Sequence, residues 1–480
     1  MSALVKAYDV RGLVGEQLTV EVARALGTAF ALEVVDDPAT RVVIGYDMRP
    51  SSPELSGAFA EGVAAVGLDV VVIGLCSTDG LYHASGSLDA PGAMFTASHN
   101  PAAYNGIKLC RAGARPVGQD TGLGRVREQA QAILDGAATT ASGVPVWHPS
   151  AATTVGTVTT ADTLSAYARH LRGLVDLSGQ RRLRVVVDAG NGMGGLTTPA
   201  VLGDAAGLPA LPLDIVPLYF ELDGTFPNHE ANPLEPANLR DLQAAVLAEG
   251  ADLGLAFDGD ADRCFVVDER GEPVSPSAVT ALVAAREIAK ERAAGRHATV
   301  IHNLITSLAV PETIVECGGT PVRTRVGHSF IKAEMAAHQA VFGGEHSAHY
   351  YFRDFWFADT GMLAAMHVLA ALGEEPADGP HGTMSGLMAQ YERYAASGEI
   401  NTSVADVGAA TAAVRAAFGE RDGVVVDTLD GLTISHLGAP MWWFNLRPSN
   451  TEPLLRLNAE AVDVATMAAV RDEVLALIRS

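Results

Sequence analysis

The sequence predicts an α/β protein: three related mixed α/β/α units followed by a smaller C-terminal α+β unit. Three observations predict it. Short β-branched apolar runs alternate with alanine-rich helical stretches through the first three-quarters of the chain. RVVIGYDMR from Arg41, RVVVDAGNG from Arg184 and ATVIHNLIT from Ala298 echo one another, each placing a strand before a polar turn and a helical stretch. After residue 386 the pattern changes, and short strands gather ahead of one last helix.

Each element follows from its residues. Arg41–Ile44, Val70–Ile73, Ala93–Phe95, Arg184–Val187, Leu253–Phe257, Cys264–Val267 and Thr299–Ile301 are short apolar runs, mostly unbroken, which marks strands covered on both faces. Gly136–Thr160 is rich in Ala, Thr, Ser, Gly and Pro with almost no charge, and Leu372–Gly386 is punctuated by Gly and Pro, so both read as linkers. Beyond the second, Val424–Asp427, Met441–Leu446 and Leu454–Leu457 read as strands and Val464–Ile478 as the closing helix.

At 480 residues the chain is too long for one core, and about 100–200 residues per domain gives three or four. The 56 acidic against 33 basic residues give a net charge of −23, which argues against nucleic acid and anionic membranes as partners. An anionic ligand would need arginines and lysines gathered locally. No apolar run approaches the ~20 residues of a membrane span, and the first residues lack an apolar signal core. The four cysteines form no C-x-x-C pair. The expectation is a cytoplasmic protein with reduced thiols.

Five motifs could carry chemistry. Thr96-Ala97-Ser98-His99-Asn100-Pro101, followed by Tyr104-Asn105-Gly106-Ile107-Lys108, offers a serine that could be a nucleophile or carry a phosphate. Read alone, it serves equally as a helix cap with proline at the first helical position. Asp258-Gly259-Asp260-Ala261-Asp262-Arg263 lies between two apolar runs. Its three alternate carboxylates can converge on one hard cation, and they would repel one another without it. A calcium EF-hand fails where Arg263 stands in place of the required glycine, so Mg²⁺ fits better. Gly190-Asn191-Gly192-Met193-Gly194-Gly195 matches the dinucleotide fingerprint, from which an NAD-linked oxidoreductase would follow, but Asp214 precedes the next strand instead of ending it. A tight strand-to-helix turn explains these glycines too. Gly343-Gly344-Glu345-His346-Ser347-Ala348-His349 sets a carboxylate and a hydroxyl close together, a pairing that suits sugar hydroxyls. Arg447-Pro448-Ser449-Asn450-Thr451-Glu452-Pro453 offers charged and neutral donors for a phosphate. Arg11 and Arg49 stand in turns, where arginines are ordinarily solvated. His328 reads alone as a structural histidine.

Taken together and in order, YDVRG, TASHNP, DGDADR, GEHSAH and RPSNTEP resemble the α-D-phosphohexomutase family, in the pattern of its bacterial phosphomannomutases. The resemblance runs the length of the chain. It implies four domains around a central cleft, which the linkers and motifs set at 1–145, 155–273, 274–372 and 383–480. It implies that Ser98 carries the phosphoryl group, and that Asp258, Asp260 and Asp262 bind Mg²⁺ with the serine phosphate completing the site. By the same resemblance Glu345 and Ser347 contact sugar hydroxyls. Arg447, Ser449, Asn450 and Thr451 grip the non-reacting phosphate, and Arg11, Lys108, Arg263 and His328 line the active site. Two loops depart from the family pattern. Ala261 stands where glycine is common, which its small size should make harmless. His346 and Ala348 replace Met, Gln or Glu and then Gly, which bears on hexose preference.

The resulting expectation is an isomerase that interconverts hexose 6-phosphate and hexose 1-phosphate through phosphoserine and a hexose 1,6-bisphosphate, mannose preferred and glucose possible. Phosphoglucomutase and phosphoglucosamine mutase are the alternatives within the family, and a catalytically silent sugar-phosphate binder is a third reading. Lys108, His99 and His328, in that order, are the candidate acids and bases. Small sugar phosphates are the expected partners, and the chain is expected to be a monomer or homodimer. Rotation of the last domain about Leu372–Gly386 would close the cleft.

Overall fold

The apolar runs become strands, most of them a residue or two longer than the runs, because polar residues at their ends still find ladder partners. The computed structural model describes residues 1, 4–6, 8–37, 40–136, 154–448 and 454–479, which fall into two bodies. The first comprises Met1–Val274 and Ser347–Leu387, the second Ser275–His346 and Met388–Ser480.

The three echoed segments take one topological position. In the first body Val42–Tyr46 lies between Val70–Leu75 and Gly92–Phe95, parallel to both. Leu183–Asp188 likewise lies between Leu213–Leu218 and Leu253–Phe257. In the second body Thr299–Asn303 lies between Thr320–Thr324 and Phe342–Gly344. Each is thus the central parallel strand of its sheet, which is why its run is apolar on both faces.

Two antiparallel returns in the first body matter for function. Gly92–Phe95 pairs with Tyr104–Arg111, setting Met94 opposite Lys108. Leu253–Phe257 pairs with Cys264–Asp268, setting Phe257 opposite Cys264. Each pair is joined by a turn that carries a candidate motif. The helices Val20–Val34 and Ser52–Ala64 cover the first sheet, and Phe59 packs edge-on against Phe95 with ring centroids 5.5 Å apart. The serine turn therefore leaves a strand end anchored in the core.

The second body ends in a five-stranded antiparallel sheet, Ala395–Ser403, Leu454–Ala461, Trp442–Pro448, Leu432–His436 and Val424–Asp427 in spatial order. The helices Val407–Phe418 and Val464–Arg479 pack on it, burying Phe418, Phe444, Leu457 and Val474.

Both linker expectations need correction. Most of Gly136–Thr160, with the 145 boundary, lies outside the described residues, but its end is strand Val158–Thr160, parallel to Val70–Leu75. Its β-branched residues complete a sheet edge. Leu372–Gly386 begins inside helix Gly361–Glu374 and is fastened within the first body. Arg181 Nη2 donates to the Gly382 carbonyl at 2.8 Å, and Ser385 donates to Glu269 from its amide at 3.0 Å and its hydroxyl at 2.5 Å. A segment so held is not a free hinge. No helix among the described residues is long and apolar enough to cross a membrane.

Candidate active site

The serine and acid turns both leave the C-terminal ends of parallel strands, where open α/β sheets place their ligand sites. Thr96–Asn100 follows strand Gly92–Phe95. Ser98 is 5% exposed, its amide donates to Thr96 Oγ1 at 2.8 Å, and its backbone is left-handed at φ 50°. A non-glycine residue in that region carries strain of order 1–2 kcal/mol, which persists only where the surroundings impose it.

Asp258–Arg263 follows strand Leu253–Phe257 and turns back into Cys264–Asp268. The two turns meet. Ser98 Oγ lies 2.9 Å from Asp258 Oδ2 and 3.2 Å from His99 Nδ1. Arg263 ties the turns together, donating from Nε to Asp258 Oδ2 at 2.9 Å and from Nη2 to His99 Nδ1 at 2.6 Å. Lys108 Nζ reaches Asp260 Oδ2 at 2.7 Å and Asp262 Oδ2 at 2.5 Å. Arg11 donates to Asn100 Oδ1 at 2.5 Å and to Asp9 at 2.7 Å, so it borders the serine turn.

The donor set fits a small divalent cation. Oxygens of Asp258, Asp260 and Asp262 lie within 4.8 Å of one another, and all three residues are buried. Asp260 Oδ1 and Asp262 Oδ1 are buried with no hydrogen-bond partner. Buried carboxylate oxygens left bare are costly, and hard oxygen donors in this number suit Mg²⁺.

The electrostatics separate the groups. Burial pushes the Asp258 carboxyl up, against the pull of Arg263. Burial would raise Asp260 too, but the Lys108 ammonium and the bonds from Lys108 and Thr78 outweigh it and hold it well below the ordinary range. Burial lowers Lys108, yet Asp260 and Asp262 win and keep it a fixed cation. Burial, then Arg263 and Arg11, push His99 down to about 2, so it is a neutral acceptor. In this geometry Lys108 is a cation donating hydrogen bonds to Asp260 and Asp262, and His99 Nδ1 accepts one from Arg263.

The remaining candidates divide between the bodies. In the first, Ser347 Oγ is 3.0 Å from His349 Nδ1, and His349 Nε2 is 3.9 Å from Asp262 Oδ1. In the second, Glu345 Oε1 accepts from Gly327 N at 3.2 Å and from Asn303 Nδ2 at 3.3 Å, beside His328 at the start of helix His328–His338. His346 is turned to Ser277, with Nδ1 3.1 Å from Ser277 Oγ. Arg447 stands in strand Trp442–Pro448, 3.7 Å from Glu399 and 3.8 Å from Asp430. Ser449, Asn450 and Thr451 lie outside the described residues.

Three expectations are revised. Ala261 has a φ of 59°, so its small size is not all that bears on its tolerance; Ala348, at 65°, shares the left-handed conformation that glycine adopts freely. Arg49 is not solvated but 1% exposed. The glycine fingerprint is filled by protein: Met193 N donates to Gly259 O at 2.9 Å, and a Cβ at Gly192 would fall 2.7 Å from that same carbonyl. The glycines let the acid turn nest where a pyrophosphate would otherwise lie, and Asp214 sits near the start of strand Leu213–Leu218, paired with Arg184.

Some residues were not legible beforehand. Thr78 donates to Asp260 Oδ2 at 2.6 Å, at the start of helix Thr78–Leu88, and nothing in its local sequence signals this. Its neighbour Asp79, fully buried, accepts from Tyr167 and Thr360 hydroxyls at 2.6 Å each. His349 was visible inside its motif, and only its distance to Asp262 distinguishes it.

The chain matches the phosphoglucomutase/phosphomannomutase family in four consecutive pieces: alpha/beta/alpha domain I over residues 2–137, domain II over 165–271, domain III over 276–394 and the C-terminal domain over 399–477. The chain belongs to the phosphohexomutase family. It is therefore an isomerase, an intramolecular phosphotransferase. It is 39% identical over 477 residues to the "Phosphohexose mutases" of Xanthomonas campestris pv. campestris, covering 99% of this chain and 98% of that protein. It is 37% identical over 484 residues to a phosphomannomutase of Salmonella montevideo, covering 99% and 98%. A phosphoglucomutase/phosphomannomutase family protein of Burkholderia thailandensis superposes with a TM-score of 0.83 at 30% identity, covering 100% of this chain and 97% of that one.

Proposed function

We propose that this phosphohexomutase interconverts hexose 6-phosphate and hexose 1-phosphate through a phosphoryl group carried on Ser98, with mannose preferred and glucose possible. The observation that carries the reading is the meeting of the Ser98 hydroxyl with Asp258 at 2.9 Å, in a left-handed backbone conformation. The preference for mannose is supported by relatives named phosphomannomutase at 36–38% identity.

In the forward step the Ser98 Oγ–P bond breaks, a P–O bond to a sugar hydroxyl forms, that hydroxyl's proton passes to the base, and the departing Ser98 Oγ takes a proton from the acid. Arg263 and Lys108 offset charge on the transferring group, and Arg11 steadies the serine turn through Asn100. Asp258, Asp260 and Asp262 would hold Mg²⁺, which supplies positive charge against the developing phosphoryl negative charge. The hexose 1,6-bisphosphate turns end for end, and its other phosphate returns to Ser98. Glu345 and Ser347 bind sugar hydroxyls in this reading, and Arg447, Ser449, Asn450 and Thr451 hold the phosphate that is not reacting. Acid and base are drawn from Lys108, His99 and His328. The boundaries 1–145, 155–273, 274–372 and 383–480 belong to the same reading, as do small sugar phosphates as partners, a cytoplasmic location with four free cysteines and a monomeric or homodimeric state.

The test is conversion of mannose 1-phosphate to mannose 6-phosphate, with and without Mg²⁺, by wild type and Ser98→Ala. Wild type should turn over only with the metal, and the variant should fall at least about a thousandfold. Full activity in the variant removes the serine from the mechanism. Tight sugar-phosphate binding with no turnover by wild type would mean a silent binder. Glucose 1-phosphate and glucosamine 1-phosphate in the same assay rank the sugars.

A further inference from the structure

Arg49 is among the largest fully buried side chains, and it lies in the turn after strand Val42–Tyr46. All its guanidinium donors are engaged. Nε donates to Asp47 Oδ2 at 3.2 Å. Nη1 donates to the carbonyls of Pro101 and Tyr104, both at 3.0 Å. Nη2 donates to the carbonyls of Ser98 at 2.9 Å and Asn100 at 2.6 Å. A guanidinium has five N–H groups in a rigid fork, and here five acceptors meet them.

The acceptors are not scattered. Four are main-chain carbonyls of one stretch, Ser98–Tyr104, which begins at the serine. With its carbonyl drawn to Arg49 and its hydroxyl 2.9 Å from Asp258, Ser98 is gripped from both sides in its left-handed conformation. The guanidinium is itself held. Asp47 is fixed by the Ser52 hydroxyl at 2.7 Å and the Arg49 amide at 3.0 Å, and the Phe226 ring lies 5.1 Å from Arg49 Cζ. With every donor committed to protein, Arg49 has none left for a ligand.

We propose that Arg49 is a positioning residue for phosphoryl transfer: it holds Ser98 in line through four main-chain hydrogen bonds without touching the substrate. This rests on the reading of Ser98 as the phosphoryl carrier. Transfer demands alignment, and a displacement of about 1 Å in the reacting oxygen can lower a rate by about a hundredfold. Lysine would keep the charge beside Asp47, but its three donors leave from one point and cannot span four carbonyls.

The experiment compares Arg49→Lys, Phe226→Leu, Ser98→Ala and wild type for kcat and KM on mannose 1-phosphate with Mg²⁺, and for thermal unfolding. Folded Arg49→Lys should lose about a hundredfold in kcat with KM within about threefold. Phe226→Leu, which removes the ring seating the guanidinium and so loosens its hydrogen bonds, should lose about threefold to tenfold in kcat in the same sense. A folded Arg49→Lys within twofold of wild-type kcat, or one whose loss lies in KM, overturns the proposal. If Arg49→Lys does not fold, Phe226→Leu decides by the same criterion. Equal activity of wild type and Ser98→Ala would instead remove the phosphoserine reading on which the proposal stands.

Discussion

The serine and acid turns of the first body and the candidate residues of the second differ in how their charges are satisfied. Around Ser98, Arg263, Lys108 and Arg11 each reach a polar partner within 3.0 Å. In the second body Arg447 is 3.7 Å and 3.8 Å from its nearest carboxylates. Burial lowers the Arg447 guanidinium, and Asp430 and Glu399 restore it only in part. The lesson is a division of labour. A preorganised cluster stabilises developing charge because its dipoles need not move at the moment of reaction. A partly desolvated cation with loose counterions would, in the proposed function, meet an anion that arrives and leaves with the substrate.

The comparison breaks first at Asp260. Asp260→Asn removes the negative charge that Lys108 and Thr78 share and takes one carboxylate from the cation cluster. Turnover should fall by about a thousandfold or more, and the remaining activity should need far more Mg²⁺. A loss under tenfold in a magnesium titration would mean that the cluster is not interlocked. Arg447→Ala should act differently, raising KM for mannose 1-phosphate by about thirtyfold to a hundredfold while kcat changes less, as loss of a charge-assisted phosphate contact implies. A loss confined to kcat would erase the division between the bodies.

A smaller effect tests the underside of the acid cluster. Burial pushes Asp79 up to about 6 from 3.8, against the hydrogen bonds of Ser77, Thr360 and Tyr167. Between those values the folded chain keeps a proton that the unfolded chain has released. The stabilisation is therefore complete below pH 4 and lost as pH rises through 6, on the order of 3 kcal/mol. Denaturant unfolding of wild type and Asp79→Asn across pH 4–7 should show the difference shrinking with rising pH. A constant difference would mean that the carboxyl is ionised throughout.

The smallest effect concerns the left-handed alanines. Ala261→Gly should raise the unfolding midpoint by about 1–2 °C, relief of backbone strain being partly offset by greater unfolded-chain freedom. An unchanged or lower midpoint would show that the turn holds Ala261 without strain.

What could be read beforehand follows the range of the forces involved. Leu253–Phe257 and Val424–Asp427 were legible to the residue, because burial on two faces or a short β-branched run is written locally. The acid turn was legible because three carboxylates at alternate positions have few other uses. Leu372–Gly386 was misread because its fastenings, Arg181 and Glu269, lie more than a hundred residues away. Arg49 was misread for the same reason: nothing beside it announces four carbonyls from a turn some fifty residues on. Gly190–Gly195 stayed open between a dinucleotide and a tight turn because glycine reports only that something approaches closely, and that something is Gly259.

The order in which the chain is threaded bears on its synthesis. The first body is closed by its late segment: Thr360 donates to Asp79 at 2.6 Å, and a Cβ on Gly361 would fall 2.5 Å from the Arg263 carbonyl carbon. On the ribosome, all of Ser275–His346 emerges before that segment does. The first body therefore waits, incomplete, while the opening portion of the second is already being made. A nascent chain stalled before residue 360 would carry Ser98 and all three aspartates and still lack the clasp that sets them.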